Sequence, residues 1–152
     1  MRELGITAKV RFWGQIPRAQ VLEKLAECDV LVHPSLHDSG GWVCLEAMAA
    51  GRPVVCLDLG GPGLQVTENT GIKVRATTPG ETVADLAKAF LRLAEDPELR
   101  IRMGEAGRQR VKEHFAWIGK GDFMNELYEN TLARREPELA NAPYPPQQRI
   151  EH

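Results

Sequence analysis

The 152-residue sequence has few of the features that mark several classes of protein. It holds three cysteines, too few and too widely spaced for a disulfide framework or a paired-cysteine metal site. We therefore expect Cys28, Cys44 and Cys56 to be small buried apolar residues. No apolar run approaches the roughly 20 residues of a membrane-spanning helix, and the first residues lack the apolar core of a secretory signal. The sequence thus predicts a cytoplasmic protein without a membrane span.

The sequence also lacks a strong excess of either charge. The formal net charge is -2, which gives no general attraction for nucleic acid or for an anionic membrane. We therefore expect no nucleic-acid partner. Hydrophobic residues make up 43% and charged residues 26%, the balance of a soluble globular domain with a core of its own.

Short apolar and β-branched runs predict the strands of a parallel sheet. The clearest run is P-V-V-C-L, which is continuous and typical of a strand covered on both faces. A second run ends at His33-Pro34, because proline cannot continue a central strand. The predicted strands are residues 9–13, 29–32, 53–57 and, in addition, 71–74.

Helical patterns alternate with these strands. One amphipathic helix follows Pro17, and a second, apolar on nearly all sides and so buried, runs from Trp42 to the stop at Gly51. Three further helices follow residue 80, while the Gly60–Gly63 stretch predicts a turn. Alternating strands and helices predict an α/β fold: a Rossmann-like parallel sheet with flanking helices.

Two charge-rich or proline-rich stretches lie in the second half of the chain. The fourth predicted helix is basic, which we interpret as a solvated face or, alternatively, a weak docking surface. Its basic residues are Arg100, Arg102, Arg108, Arg110 and Lys112. From residue 136 the sequence is proline-rich and has almost no periodicity, which predicts a domain over 1–135 and a disordered or loosely attached tail over 136–152.

Two glycine pairs follow predicted strands, where parallel α/β sheets bind their ligands. Gly40 and Gly41 come directly before the buried helix, whose first amides would point outward and suit a phosphate. Gly60 and Gly61 follow the next strand. Neither stretch is a G-x-G-x-x-G or a phosphate-loop motif, so each pair taken alone favours a simple turn over a ligand site.

Two acidic residues flank the start of the buried helix. Asp38 lies in the loop and Glu46 lies about one turn inside the helix. A carboxylate on a buried helix is costly unless it is paired or solvated, so Glu46 needs a partner. The vicinal hydroxyls of a ribose are one such partner, because a carboxylate accepts two hydroxyl hydrogen bonds at once. Backbone amides or Arg52 are the alternatives.

Four segments together resemble a known family. They are F-W-G-Q-I-P, C-D-V-L-V-H-P-S-L-H-D-S-G-G-W-V-C-L-E-A-M-A-A-G-R-P-V-V, G-G-P-G and D-P-E-L-R-I-R-M-G-E-A-G-R. Their order and spacing resemble the C-terminal donor-binding domain of retaining GT-B-fold glycosyltransferases, the group 1 or family 4 enzymes that use nucleotide-sugars. The resemblance runs from about residue 8 to residue 132.

The resemblance implies roles for the two acidic residues and for the loop between them. In the family two acidic residues have seven residues between them; the first contacts sugar hydroxyls, and the second binds the nucleotide ribose. Asp38 matches the first, a position usually held by glutamate, and is the implied catalytic-site carboxylate; Glu46 matches the second. The loop amides that would hold the distal phosphate are those of Gly40, Gly41, Trp42 and Val43.

Two further pairs of residues are implied by the same resemblance. Gln15 and Ile16 would lie against the nucleobase through backbone contacts, and Gly60 and Gly61 would lie beside the donor pocket. The family neutralises the diphosphate without a bound metal, so we expect no metal, and we do not interpret His33 and His37 as metal ligands. The expected ligand is a nucleotide diphosphate sugar.

The resemblance also implies elements that this sequence does not contain. The family's donor domain opens with a further β-α-β-α stretch that carries an arginine and a lysine, and an acceptor-binding domain precedes it. We therefore expect this chain to be inactive in transfer on its own. An exposed sheet edge could support a homodimer. A non-catalytic nucleotide-binding or assembly module of the same fold is the alternative; an epimerase or phosphorylase of this architecture fits the acidic spacing less well.

Overall fold

The computed structural model describes the backbone of residues 5–140 and the side chains of residues 5–133. The chain divides into two compact units, residues 1–113 and residues 114–152. All three strands lie in the first unit.

A parallel three-stranded sheet forms the centre of the first unit. Its strands are β1 (Leu31–His33), β2 (Val54–Leu57) and β3 (Gly71–Val74), in that order across the sheet. In the register His33 lies opposite Cys56, and Cys56 lies opposite Lys73. Every residue of β2 is buried, as its continuous apolar run predicts. The predicted α/β fold with a parallel sheet is confirmed.

The described part of the chain contains six α-helices. Their bounds are α1 (Arg18–Glu27), α2 (Trp42–Ala49), α3 (Gly60–Gln65), α4 (Pro79–Glu95), α5 (Pro97–His114) and α6 (Trp117–Ala140). The helix after Pro17, the buried helix at Trp42 and the three later helices are those that the sequence predicts.

The two faces of the sheet pack into two separate cores. Val54 and Cys56 of β2 point into one core, which also contains Met48 of α2. Val55 and Leu57 point into the other, which contains helix α4 and the start of α5. Because α2 is buried against the sheet, the residues at its start are held at the carboxyl end of β1.

The strand predicted over residues 9–13 is wrong. Residues Thr7–Lys9 form a 3-10 helix, and Val10 has extended dihedral angles but belongs to no strand. A strand needs a hydrogen-bonded neighbour, and no described segment pairs with residues 10–13. Phe12 is accordingly 76% exposed, while Trp13 stacks under the guanidinium of Arg11.

The turn predicted at Gly60–Gly63 is also wrong, since these residues form most of the short helix α3. Proline is tolerated in the first turn of a helix, where the missing N–H has no intrahelical partner. Pro62 occupies such a position, and its carbonyl accepts the N–H of Val66 at 3.0 Å. The glycine-rich composition thus reflects close packing rather than a turn.

Two arginines cap the carboxyl ends of α1 and α2. The last carbonyls of a helix lack intrahelical donors and carry partial negative charge, so cationic side chains stabilise them. Arg52 donates to the Ala26 carbonyl in the last turn of α1. Arg108 of α5 donates to the Ala50 carbonyl at the end of α2, at 3.3 Å.

Two further arginines of α5 do the same for α3 and α4. Arg110 donates from Nε to the Gln65 carbonyl at 2.8 Å, and Arg100 donates to the Leu93 carbonyl in the last turn of α4. The interpretation of the α5 arginines as a solvated face is therefore wrong for Arg100 and Arg110, which are half-buried, whereas Arg108 is exposed and also makes such a contact. Their hydrogen bonds join α5 to the ends of α2, α3 and α4.

The second unit contains helix α6. The tail predicted from residue 136 begins inside this helix, which is helical to Ala140, and residues 141–152 lie outside the described part of the chain. Within residues 5–140, no helix is both long and apolar enough to cross a membrane.

Candidate functional site

Asp38 organises the loop between β1 and α2. Its Oδ1 accepts the backbone N–H groups of Gly40 at 3.0 Å and Gly41 at 2.7 Å, and its Oδ2 lies 2.8 Å from His33 Nε2. The amide of Gly41 and then the His33 ring hold the pKa of Asp38 below its usual value. Asp38 is thus a charged residue that holds the loop just before α2, and its side-chain partner is His33.

The two glycine pairs lie against each other. The Gly61 N–H donates to the Asp38 carbonyl at 3.0 Å. A Cβ atom on Gly61 would lie 2.5 Å from the Ser39 carbonyl oxygen, and one on Gly60 would overlap the Asp38 carbonyl oxygen. Gly60 also has a φ of 52°, in the left-handed region that favours glycine. Gly60 and Gly61 are therefore needed for close approach to the backbone of the Asp38–Gly40 loop at the carboxyl end of the sheet.

Gln65, at the end of α3, supports this glycine loop and was missed from the sequence. Its side chain is 7% exposed, and Nε2 donates to the Gly40 carbonyl at 2.6 Å. A Cβ atom on Gly41 would lie 2.6 Å from Gln65 Oε1, so glycine is required there as well. A lone amide in an otherwise apolar and glycine-rich segment is the only sequence feature that pointed to it.

The first residues of α2 complete the loop. Gly41 is the N-cap and has a φ of 57°, while Trp42 and Val43 are the first two helical residues. The side chain of Trp42 is largely exposed and lies close to Gly40. Two of the four predicted phosphate-binding amides, those of Gly40 and Gly41, donate to Asp38 in this structure. The positive end of α2 nevertheless faces this loop.

Glu46 pairs with an arginine that the sequence analysis did not identify. Its Oε1 accepts from Nη2 of Arg18 at 2.7 Å and from Nε of the same guanidinium at 3.2 Å. Arg52, the partner considered from the sequence, donates to the Ala26 carbonyl instead. The interpretation of Glu46 as the partner of Arg52 is therefore wrong.

Arg18 also connects Glu46 with the segment predicted to contact the nucleobase. Gln15 is exposed and Ile16 is half-buried, in irregular backbone just before α1. Arg18 is the first residue of α1, two positions after Ile16. The structure thus forms two groups along α2. Asp38 and the glycine pairs lie at its start, and Glu46 with Arg18 lies further along it.

No group of three or more histidine, cysteine, aspartate or glutamate side chains is arranged to hold a metal ion in the part of the chain that the structure describes. Cys44 and Cys56 are buried free thiols, as expected, and burial raises their pKa values to about 12 and about 11. Cys28 is half-buried and also reduced.

Comparison with known proteins gives this geometry a context. The profile of the family described as "Glycosyl transferases group 1" matches residues 1–110. The D-inositol 3-phosphate glycosyltransferase of Corynebacterium glutamicum is 32% identical over 132 residues, which are 86% of this chain and 30% of that protein. The protein of the same name from Kribbella flavida is 37% identical over 117 residues, 76% of this chain and 26% of that protein.

Solved structures show the same likeness. Sucrose-phosphate synthase from Thermosynechococcus elongatus superimposes with a TM-score of 0.74 at 32% identity, over 88% of this chain and 33% of that one. Anabaena HepE, solved in complex with UDP and glucose, superimposes with a TM-score of 0.72 at 26% identity, over 85% and 34%.

The parallel sheet with flanking helices is an α/β fold of the kind that binds its ligands at the carboxyl ends of the strands, where Asp38 and the glycine pairs lie. The chain belongs to the group 1 glycosyltransferase family, and its fold is that of part of a GT-B enzyme. It spans about a third or less of the length of the relatives it matches.

Proposed function

We propose that this chain is the nucleotide-sugar donor-binding part of a retaining glycosyltransferase, which transfers a sugar from a nucleotide diphosphate to an acceptor. The observation that carries the proposal is that only one of the two carboxylate oxygens of Glu46 has a partner in the described part of the chain. Arg18 contacts only Oε1 of its carboxylate, and Oε2 has no hydrogen-bond partner among the described residues. A carboxylate oxygen that is left over on a buried helix is suited to accept ribose hydroxyls.

The phosphate end of the donor lies at the start of the same helix. Glu46 is the fifth residue of α2, so its Cα lies about 6 Å along the helix axis from the first residue. We expect the distal phosphate to bind at the amides of Trp42 and Val43, where the helix dipole favours negative charge. Gly40 and Gly41 then keep their hydrogen bonds to Asp38 and hold the loop in shape.

Asp38 would contact the donor sugar while it retains its structural role. An ionised carboxylate offers about four acceptor sites, and three are taken by Gly40, Gly41 and His33. One site remains for a sugar hydroxyl. Because aspartate is one methylene shorter than glutamate, we expect this contact to be weaker than the glutamate contact of the family.

UDP is the first nucleotide to test, because Anabaena HepE was solved with UDP and glucose. The acceptor and the sugar of this chain are not defined by the site. Since the chain spans about 30% of its curated relatives, we propose that it binds the donor and that transfer requires further residues.

The alternative is a non-catalytic nucleotide-binding or assembly module of the same fold. It is favoured by Asp38, whose two oxygens are both engaged within the protein. In that case UDP and a UDP-sugar would bind with the same affinity, because nothing would contact the sugar.

The test is calorimetric titration of the chain with UDP, GDP and ADP, repeated on Glu46→Ala. We expect one nucleotide to bind and Glu46→Ala to weaken it at least about 10-fold, the effect of hydrogen bonds to a charged group. Glu23→Ala, an exposed carboxylate of α1, is the matched control and should bind as the wild type does. Circular dichroism checks that each variant is folded.

Two results would contradict the proposal. If no nucleotide binds, the chain does not hold the donor. If a nucleotide binds and Glu46→Ala leaves its affinity unchanged, the ribose is held elsewhere.

We also propose that the chain works in the cytoplasm and binds its donor without a metal, so that EDTA leaves the UDP affinity unchanged. The outer edge of β1 pairs with no described strand and is the surface at which a homodimer would form. Sedimentation of the chain at several concentrations distinguishes a monomer from a dimer.

A further inference from the structure

We infer that Arg18 is a positioning residue, which orients the carboxylate of Glu46 toward the ribose of the bound nucleotide. The inference rests on the proposed function and concerns the same site. It adds a residue that neither the acidic spacing nor the glycine pairs indicate.

The first support is the way the two side chains meet. Nε and Nη2 of Arg18 both donate to Oε1 of Glu46, at 3.2 and 2.7 Å. The pair therefore does not have the two-to-two geometry in which each carboxylate oxygen takes one donor. Because Oε1 receives both donors, this oxygen is held in place while Oε2 stays available for hydroxyl groups.

The second support is the difference in exposure. The side chain of Glu46 is 22% exposed, whereas that of Arg18 is 77% exposed. An ion pair with one partner so exposed contributes little to folding stability. The Arg18–Glu46 ion pair therefore adds little to the free energy of folding. We expect the protein to stay folded when Arg18 is removed.

The third support is the position of Arg18 in the chain. It follows Pro17, whose ring fixes the backbone where the Gln15–Ile16 segment enters α1. Helix α1 packs on α2 through Leu25, in the core that also holds Met48. The guanidinium is thus anchored between the proposed base-binding segment and the proposed ribose-binding carboxylate.

A different role for Arg18 makes a different prediction. If it bound the diphosphate directly, its loss would weaken every nucleoside diphosphate, whether or not the ribose has hydroxyls. If it acts through Glu46, its loss weakens only ligands that have ribose hydroxyls.

The experiment titrates UDP, 2′,3′-dideoxy-UDP and uridine into four proteins: the wild type, Arg18→Ala, Arg18→Lys and Arg102→Ala. We expect Arg18→Ala to weaken UDP about 3- to 5-fold, the size of an exposed ion pair, and to leave dideoxy-UDP unchanged. Arg18→Lys should recover part of the loss, because lysine keeps the charge but not the two parallel donors. Uridine keeps both hydroxyls and should show the same loss as UDP.

The Arg102→Ala variant removes an exposed arginine of α5 and should bind all three ligands as the wild type does. A combined Arg18→Ala and Glu46→Gln variant should be no weaker than Glu46→Gln alone, because Arg18 acts through Glu46.

Equal weakening of UDP and dideoxy-UDP by Arg18→Ala would overturn the inference and assign Arg18 to the phosphates. Unchanged binding of UDP would also overturn it, while the proposed function would stand on the Glu46→Ala result. If the wild type binds no nucleotide, the proposed function fails and the inference fails with it.

Discussion

The helix ends at the two ends of the sheet are contacted by side chains of opposite charge. At the amino ends of the strands, four arginines donate to the last carbonyls of α1, α2, α3 and α4. At the carboxyl ends, Asp38 accepts the amides at the start of α2, and Glu81 lies in the first turn of α4 beside its cap, Thr78. Helix dipoles explain both sets, because cations stabilise helix carboxyl ends and anions stabilise amino ends.

Glu46 is the residue that this comparison leaves unexplained. It is the fifth residue of α2, beyond the first turn, where the effect of the dipole fades. It lies on a helix with buried Cys44, Ala47 and Met48, where an ionised group is costly. The helix dipole thus accounts for Asp38, whereas Glu46 pairs with Arg18 instead, and we propose that it binds the ribose.

The largest expected effect comes from a substitution that disrupts the packing of α5 at the amino ends of the strands. A Cβ atom on Gly104 of α5 would overlap the Gly51 carbonyl oxygen, so Gly104→Ala must push α5, with Arg108, away from the end of α2 and the Ala50 carbonyl. We expect a loss of about 3 kcal/mol in the free energy of unfolding, measured by urea denaturation. Gly80→Ala, where a Cβ meets nothing within 4 Å, is the control and should stabilise helix α4 by about 0.5 kcal/mol. Equal stability of the two variants would contradict the close packing of α5.

A smaller effect distinguishes the arginine caps, which we expect to affect only stability, from the proposed binding site, which we expect to affect UDP affinity. Arg100→Ala removes the donor to the Leu93 carbonyl and should cost about 1 kcal/mol in stability without changing UDP affinity. Arg102→Ala, two residues along the same helix and more exposed, should cost almost nothing. A change in UDP affinity in Arg100→Ala would show that the amino end takes part in binding.

The smallest expected effect is the pH dependence of the stability that Asp38 contributes. Its folded-state pKa lies below its usual value, so its contribution to stability is complete above the ordinary carboxyl range of about 4 and is lost as the pH falls through the lowered value. The difference in stability between wild type and Asp38→Asn should therefore shrink in acid. Urea denaturation at about pH 7, 5 and 3 measures it. Asp122→Asn, on exposed α6, is the control; a difference that stays constant would contradict the role of Asp38.

The sequence was sufficient for the features that rest on local patterns. The continuous apolar run at Val54–Leu57 predicted a strand covered on both faces, and the apolar stretch from Trp42 predicted a buried helix. Asp38 and the glycine pairs were singled out by their position after strand ends and by the family resemblance, and the structure brings them together. Asp38 and the glycine pairs lie close together because the carboxyl ends of parallel strands meet at the same edge of the sheet.

The sequence was insufficient wherever a distant partner decides the outcome. Residues 10–13 alternate as a strand does, yet they have no hydrogen-bonded neighbour. The α5 arginines have the spacing of a solvated face, but their acceptors are carbonyls up to 58 positions away. Arg18 and Gln65 contact the site across 28 and 25 positions, and no local pattern marks them.

The measurement that tests the central claim most directly is an NMR titration of the labelled chain with UDP, because backbone amides report both ends of the sheet at once. We expect UDP to change the amide chemical shifts of Gly40, Gly41, Trp42, Val43 and Glu46. The amide shifts of Gly51 and Gly104 should stay the same. Shifts confined to Gly51 and Gly104, or none anywhere, would contradict the central claim.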